Sequence, residues 1–467
     1  MPDTIRFTLC ASVACAIALG MAGCASTTPK PEIAAPVARA TGMSDAITFQ
    51  VKGETLDMNE AAEATLTLSD AVRRTLAHDP AIQAALARVR IAQADAKQDR
   101  LLPNPVLNVA LRFPEGGGST VIEAGLAADL ISVLTRAGRT TAADNRLRAE
   151  SAQAVSQVLD VLSEVRQTYV AIQTLDAQLA VLRERMGIVD RLLDLARSRL
   201  QTGFGTPLDV LTLEAQRLEL EAEVADRELE QRDERLTLTR LIGQPSGEME
   251  WRLEPWEPNR AIASPESSWI ALALDNRPEV QARRYEMAAL GAELKLTRFA
   301  PFDGSEVGVD AERDDGDWTI GPAASVPIPL FDLGQARRSR ARAAVIEASH
   351  NLTAARRQVV QETRQAHAAF TSSLSNLQRV RDQLVPLLER RLVQAEAQFK
   401  AGRTDVTGLL LAEQELRAGR TQLVELQRRN TEALIRLQRA VGGPGIAASL
   451  ESAEPATRPS TKGTQQQ

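Results

Sequence analysis

The chain has 467 residues, of which 44% are apolar and 25% charged, and its formal net charge is −6. This composition excludes an intrinsically disordered chain, and the interleaving of 61 acidic with 55 basic residues leaves no basic stripe for nucleic acid. Aromatic residues make up only 3% beside abundant Ala, Leu, Arg, Gln and Glu, a mixture that favours long helices over a compact aromatic core.

The N-terminus is typical of a bacterial export signal. An apolar run over residues 7–21 is short for a membrane span, and small residues lead from it into Cys24. The stretch Met21-Ala22-Gly23-Cys24 resembles the bacterial lipobox, in which the cysteine becomes the acylated first residue of the mature protein. We therefore expect a signal peptide over 1–23, acylation of Cys24 and a tether over 24–67. A plain signal peptide cut elsewhere is the alternative.

Prolines and glycines divide the residues that follow into short elements. Helices are predicted over 69–79 and over about 80–101, because a serine caps the first and prolines end both. Residues 106–113 and 120–130 alternate apolar and polar side chains on either side of a glycine-rich turn. This alternation predicts a pair of strands over about 106–130.

A long helical hairpin is predicted over about 135–243. Its apolar side chains follow 4-3 spacing from Val158 to Leu200, with one phase adjustment near Ile172, which is the seam of a coiled coil. At about 1.5 Å a residue the first helix would reach roughly 100 Å. The chain reverses after Gly203 into a second helix. One hairpin of this length does not bury its apolar flank alone, so it must pack beside others.

The chain is duplicated. Residues 79–202 lie over residues 277–400 at a constant offset of 198, which brings Pro103 onto Pro301 and Glu164-Val165-Arg166-Gln167 onto Glu362-Thr363-Arg364-Gln365. Such a unit is far longer than the repeats of solenoid proteins, which span about 20–50 residues. The predicted organisation is a first repeat over 68–243, a linker over 244–264, a second repeat over 265–442 with strands at about 305–326 and a hairpin at about 334–441, and a disordered tail over 443–467.

Four strands in each chain point to an assembly. Four strands do not make a closed sheet, and lipid does not tolerate open sheet edges, whereas three copies would supply twelve strands. In the second strand pair Val307, Val309 and Ala311 alternate with Asp310 and Glu312. This alternation suits a wall with lipid on one side and a wet lumen on the other. The same three copies would gather twelve long helices into a tube.

Two stretches identify the chain as similar to a known family. They are Val326-Pro327-Ile328-Pro329-Leu330-Phe331-Asp332 with Gly334-Gln335, and Val385-Pro386-Leu387-Leu388 with the run from Ala397 to Gly402. Across 68–442 the chain resembles the TolC family of trimeric outer-membrane efflux channels. The first stretch is closest to the heavy-metal branch, which serves copper or cobalt-zinc-cadmium pumps.

The resemblance implies a fold and partners. The expected fold is mainly α with a small β part, in which duplicated long hairpins of a homotrimer form an α-barrel and four strands per chain join a 12-stranded β-barrel. The expected place is the outer membrane, with a lipid anchor and a long periplasmic extension. The implied partners are a periplasmic adaptor and an inner-membrane pump of the RND type.

The resemblance also marks residues for particular roles. Turns at the hairpin tips would dock the adaptor, although the same residue types also cap helices. An aspartate gate known in the family would fall on Thr407 and Leu410, so no such gate is predicted. The prolines would mark strand-to-helix junctions and one kink in a long helix. The kink is interpreted either as the inward taper of the tunnel or as a bend fitted to local packing. The residues implied are Gly203, Thr206, Asp209, Gly402, Thr404 and Asp405 at the tips, and Pro103, Pro301, Pro327, Pro329 and Pro386 at the junctions and the kink.

The sequence offers no enzyme, metal or cofactor site. His78, His350 and His367 are isolated from other ligand residues, and no nucleophile elbow, P-loop or HExxH occurs. A passive export duct is therefore the preferred function, with metal ions or small molecules preferred as cargo on the junction residues alone. The alternatives are the outer-membrane duct of a type I protein secretion system and a periplasmic coiled-coil adaptor lipoprotein.

Overall fold

Long helices dominate the protein, as shown by a computed structural model that describes residues 33–43, 47, 49–50, 65–113, 115–116, 119–203, 205–245, 251–257, 259, 264–400, 403 and 406–451, without the side chains of 399, 400 and 406. The helices are α1 (Ala34–Thr41), α2 (Leu68–His78), α3 (Pro80–Arg100), α4 (Leu130–Gln201), α5 (Pro207–Leu241), α6 (Glu266–Asn276), α7 (Pro278–Leu296), α8 (Gln335–Arg379), α9 (Val385–Lys400), α10 (Val406–Ala440) and α11 (Pro444–Glu451). None of these described helices has an apolar stretch long enough to span a membrane.

The strands of the described residues belong to two sheets. They are β1 (Thr65–Leu66), β2 (Val106–Arg112), β3 (Val121–Asp129), β4 (Arg252–Leu253), β5 (Glu306–Asp314) and β6 (Asp317–Ser325). The larger sheet has the order β2-β3-β5-β6 and is antiparallel throughout, while β1 pairs with β4 in parallel. The predicted fold class, mainly α with a small β part on duplicated helical hairpins, is confirmed.

The chain divides into two compact units. The sheet unit contains Ile91–Arg148 and Glu286–Glu347, and the hairpin unit contains Glu32–Arg90, Ala149–Tyr285 and Ala348–Gln467. In the sheet unit the strand pairs of the two repeats meet at β3 and β5, with Leu126 opposite Val309. The backbone N–H of Leu130 also donates to the carbonyl of Ser305 at 3.0 Å. The duplication therefore builds one continuous sheet from two equivalent halves.

Each helical hairpin of the hairpin unit has its own apolar core. Leu179, Leu182, Val189 and Leu193 of α4 pack against Leu213 and Leu220 of α5. In the second hairpin, Val380, Val385 and Leu416 form the equivalent cluster. These residues occupy the heptad-like stripe of the sequence, because side chains three and four apart share one helix face.

Both the predicted tether and the predicted disordered tail contain a helix. Helix α1 lies inside the predicted tether of 24–67, and α11 lies inside the predicted disordered tail of 443–467, so the latter prediction is wrong over residues 444–451. The two helices pack together and bury Val37, Ala40 and Ala447. A side chain at Gly445 would meet the backbone of Gly42 and Arg39. Each helix alone is too short to be stable, and their mutual packing explains why local pattern missed them.

Helix α4 begins five residues before the predicted start at about 135. The carboxylate of Asp129 accepts the backbone N–H of Ser132 at 3.0 Å and so caps the helix directly after β3. In the second repeat an extended segment separates β6 from α8, which begins after Gly334 at a φ of 73°. The strand-to-helix junctions of the two repeats therefore differ.

A wide helical turn interrupts the long helix of the second repeat. Val380–Leu384 is π-helical, and the backbone N–H of Val385 donates to the carbonyl of Val380. Pro386 follows, and proline lacks the N–H that an α-helix would require there. A π turn is an α-helix with one residue inserted. The inserted residue accounts for a change in the offset between the two repeats. Leu182 corresponds to Val380 at an offset of 198 residues, whereas Gly203 corresponds to Gly402 at an offset of 199.

Candidate functional site

The first candidate site is the turn between α4 and α5. Gly203 has a φ of 78°, a conformation that glycine adopts without strain. The hydroxyl of Thr206 accepts the backbone N–H of Asp209 at 3.2 Å, and the carboxylate of Asp209 accepts the backbone N–H of Thr206 at 3.1 Å. Pro207 occupies the first position of α5. The three predicted residues thus form one turn closed by a capping box.

The surface beside this turn is apolar and exposed. The side chain at Leu208 is 70% exposed and that at Leu211 is 61% exposed. Gly205 packs against the end of α4, where an added Cβ would lie 2.9 Å from the backbone nitrogen of Leu200. The turn is therefore fixed in shape while it presents leucines to its surroundings. The equivalent residues of the second repeat, Gly402, Thr404 and Asp405, lie outside the described residues.

The second candidate site is the apolar face of the large sheet. Cross-strand pairing places Leu107 opposite Leu126, Leu126 opposite Val309, and Val309 opposite Pro322. Because side chains alternate along a strand, these residues share one face. Most of the large apolar side chains of this face are more than a third exposed, namely those of Leu107, Val109, Leu111, Leu126, Val307, Val309, Trp318 and Ile320.

The opposite face of the same sheet is acidic. Pairing places Asn108, Gly125, Asp310 and Gly321 in one row and Ala110, Glu123, Glu312 and Thr319 in the next. This face carries Glu123, Asp129, Glu306, Asp310, Glu312, Asp314 and Asp317 against one base, Arg112, which pairs with Glu123 at 2.8 Å. The register confirms the predicted division of the sheet into an apolar and a polar face.

Small residues bring the strands of the acidic face close together. A Cβ at Gly308 would collide with the carbonyl oxygen of Leu126, and a Cβ at Gly125 would lie 2.5 Å from the carboxylate of Asp310. At the turns, the hydroxyl of Ser119 donates to Asp315 at 2.8 Å and ties the two strand pairs together. The acidic side chains therefore project from strands whose backbones lie close together.

The junction segment, residues 326–334, leaves its apolar side chains uncovered in a single chain. Ile328 is 79% exposed and Phe331 is 94% exposed. Asp332 holds the end of the segment, because its carboxylate accepts the N–H of Gly334 at 2.7 Å and pairs with Arg337 at 2.8 Å. Pro327 and Pro329 lie in this segment, and Pro301 lies in a short 3-10 turn against Gly334.

Sequence reasoning missed an ionic seam between the two hairpins of the hairpin unit. Arg420 of α10 pairs with Glu184 of α4 at 2.7 Å and with Glu389 of α9 at 3.1 Å. Glu413 of α10 is buried, and its carboxylate lies 4.0 Å from the guanidinium of Arg185 in α4. Burial raises the pKa of Glu413, although the charge of Arg185 opposes that rise. The sequence signal for this seam was the charged residue Glu413, which stands among apolar positions that the helix pattern predicts to be buried.

No metal centre is assembled by the described residues, which contain no group of three His, Cys, Asp or Glu side chains suited to an ion. Cys24, the predicted acylation site, lies outside the described residues, as does the whole signal peptide of 1–23. The features that the chain does present are therefore a rigid turn, a two-faced sheet and uncovered apolar segments.

Comparison with known proteins places these features in a family. A family model described as outer membrane efflux protein matches residues 71–244 and 269–443. The pyoverdine export outer membrane protein OpmQ of Pseudomonas putida is 23% identical over 397 residues, which cover 77% of this chain and 82% of that protein.

Solved outer-membrane proteins share the fold. The crystal structure of VceC from Vibrio cholerae matches with a TM-score of 0.66 at 21% identity, covering 80% of this chain and 96% of VceC. The open state of the MtrE outer membrane channel from Neisseria gonorrhoeae matches with a TM-score of 0.65 at 16% identity, covering 85% and 97%.

Proposed function

Because this chain belongs to the outer membrane efflux protein family, we propose that it is the outer-membrane channel of a tripartite efflux system. It would act as a passive duct that carries small molecules or metal ions from a pump and its adaptor to the exterior. The single observation that carries this proposal is the four-stranded sheet, which has one apolar face, one acidic face and two open edges.

The open edges of β2 and β6 call for further copies of the chain. Unpaired backbone groups at a sheet edge are costly in lipid, so the strands must close into a barrel. Three copies supply twelve strands, with the apolar face toward lipid and the acidic face toward the lumen. Exposed leucines of α5 farther from the turn, namely Leu218, Leu229 and Leu236, also favour burial against a neighbouring copy.

The turn at Gly203 is the proposed docking point for the adaptor. Its capping box fixes the backbone, and Leu208 and Leu211 offer apolar contacts to a helical partner. Gly402, Thr404 and Asp405 are proposed for the same role on the sequence equivalence of the repeats. The pump is proposed to be of the RND type and Cys24 to carry the lipid anchor, both on the family resemblance and the lipobox.

The acidic face supports cationic cargo. Seven carboxylates against one arginine make a field that concentrates cations in a narrow passage. Together with the junction segment, whose residues resemble those of the heavy-metal branch, this favours metal ions. OpmQ is named for export of pyoverdine, and a small organic molecule is therefore the second cargo to test.

The test is an efflux assay in cells that lack the gene. We expect tolerance of copper, cobalt, zinc or cadmium salts, or of a drug panel, to fall and to return with the wild-type gene. The matched control is a gene carrying Gly321→Ala, at a glycine with open space around it. Unchanged tolerance together with loss of one secreted protein would instead assign the chain to type I secretion.

A further inference from the structure

A cavity of about 400 Å³ lies beneath the linker that joins the two repeats. The linker is held at two points: the N–H of Glu254 donates to the hydroxyl of Tyr169 at 3.2 Å, and the amide of Asn259 donates to Thr431 at 3.1 Å. Between these points Pro255-Trp256-Glu257 covers the space. We call this space the linker cavity, and all of its lining residues belong to the hairpin unit.

Two hydrogen-bond donors that line the cavity lack acceptors. The indole N–H of Trp256 is buried and has no partner among the described residues. Arg166 is partly buried, and within the described chain its guanidinium forms no hydrogen bond and no ion pair within 4 Å. Burial lowers the pKa of Arg166 to about 10, with only Glu451 acting against that shift. A buried donor is normally satisfied, so the indole N–H of Trp256 calls for an acceptor, and the unpaired guanidinium of Arg166 lines the same cavity.

The duplication shows what Arg166 lacks. Its equivalent in the second repeat, Arg364, donates to the carboxylate of Glu266 at 2.6 Å. In the first repeat the position of Glu266 is occupied by Leu68, which lines the linker cavity instead. The first repeat thus has the arginine but an apolar residue at the position of its carboxylate partner.

We propose that the linker cavity binds a small amphipathic organic anion, whose carboxylate accepts hydrogen bonds from Arg166 and Trp256. The apolar part of the ligand would lie against the apolar wall, formed by Leu68, Val170, Leu434 and Ile435. An ionised acceptor suits this site because charge-assisted hydrogen bonds to guanidinium are the strong ones.

The other charges of the cavity are compatible with this ligand. The carboxylate of Glu254 accepts the backbone N–H of Leu68 at 3.2 Å and is held there. The side chain of Glu257 is exposed. Glu451, which attracts Arg166 from a distance, accepts the amide of Gln438 at 2.7 Å. None of these groups occupies the place of the missing carboxylate.

The test is calorimetric titration of the purified full-length protein in nanodiscs with 2-naphthoate. We expect one saturable site per chain, and binding of the neutral 2-naphthamide about tenfold weaker, because it lacks the charge. Arg166→Gln should weaken 2-naphthoate about tenfold and Trp256→Phe about threefold. Arg364→Gln, at the equivalent exposed position, should leave binding unchanged.

A second variant separates ligand binding from folding. Leu68→Glu places in the first repeat the carboxylate that the second repeat has, so it should abolish binding of 2-naphthoate while the thermal unfolding temperature without ligand is preserved. Absence of saturable binding, equal binding of 2-naphthamide, or undiminished binding in Arg166→Gln would each overturn the proposal. If inorganic phosphate bound as tightly as 2-naphthoate, the assignment of the ligand as an amphipathic anion would be wrong.

Discussion

Arg439 of α10 donates a hydrogen bond of 2.6 Å to the carboxylate of Glu279 in α7. The same guanidinium donates to Asp160 of α4 at 2.8 Å and so joins the two repeats. Burial alone would raise the pKa of Glu279, but Arg439 and Arg277 together lower it to about 2. The charged form of Glu279 is therefore the form that the folded hairpin unit stabilises.

Glu279→Gln should destabilise the protein at neutral pH by about 2 kcal/mol, because it leaves Arg439 and Arg277 with one carboxylate fewer. Since the folded pKa lies below the ordinary value of 4.5, the wild-type contribution is present above pH 4.5 and is lost as the pH falls toward 2. Urea unfolding across this range measures the difference. The exposed pair of Arg183 with Glu228 is the control, and Glu228→Gln should cost less than about 1 kcal/mol.

Replacing Gly203 by leucine should impair efflux, because φ is 78° there and a side chain would strain the turn and obstruct docking. Crosslinking should still give three-chain species. Gly187→Ala, within the helix α4 that leads to this turn, is the control and should leave efflux intact, since an added Cβ there would meet only the side chain of Arg191. Normal efflux in the Gly203 variant would remove the docking role from this turn.

Thr206→Ala should cost about 1 kcal/mol by removing the cap of α5, whereas Thr206→Ser keeps the hydroxyl and should cost little. Thermal unfolding and efflux, measured together on both variants, separate capping from docking. An efflux defect in Thr206→Ser at unchanged stability would mean that the methyl group contacts a partner.

Gly308→Val should prevent assembly, because its side chain would collide with the backbone of Leu126 and break the pairing of β3 with β5. The measurement is crosslinking in detergent, with loss of the three-chain species as the expected result. Gly321→Ala is the matched control on the next strand, where nothing lies within 4 Å. A normal trimer in the Gly308 variant would contradict the observed register.

Neutralising Asp310 and Glu312 together should reduce the preference of the reconstituted channel for cations about twofold or more, because both carboxylates lie on the proposed lumen face. Reversal potentials in planar bilayers measure that preference. Arg313→Gln changes a charge on the opposite face and should leave it unaltered. A change of ion preference in Arg313→Gln, with none in the double variant, would mean that the faces are assigned the wrong way round.

Cys24→Ala should abolish incorporation of labelled palmitate, since acylation requires the thiol. Unchanged labelling would overturn the lipobox interpretation. Because Cys24 lies outside the described residues, this prediction depends on sequence alone.

Elements with strong local patterns were predictable from the sequence. The alternation of Leu107, Val109 and Leu111 fixed a strand, and 4-3 spacing fixed the long hairpins, because each pattern reflects one buried or one outward face. The faces of the sheet followed from the same alternation. The reversal after Gly203 was predicted from its glycines, whereas the roles of Thr206 and Asp209 followed from the family resemblance.

Features that depend on contacts distant in sequence were not predictable. Helices α1 and α11 are stabilised by each other, so neither had a signal of its own. The pairing of Arg420 with Glu184 and the burial of Glu413 depend on how two hairpins are placed side by side. The difference between Arg166 and Arg364 became visible only once Glu266 was seen to be the partner of one of them.

The π turn at Val380–Leu384 has a consequence for comparing the two halves of the chain. An inserted residue usually shifts every following position of a helix, yet this one is absorbed locally, so that Leu388 and Leu392 still reach the core of their hairpin. Deleting one residue from the wide turn should therefore yield an uninterrupted α-helix, and the residues after the turn would then correspond to those of the first repeat at the same offset of 198 residues as the residues before it.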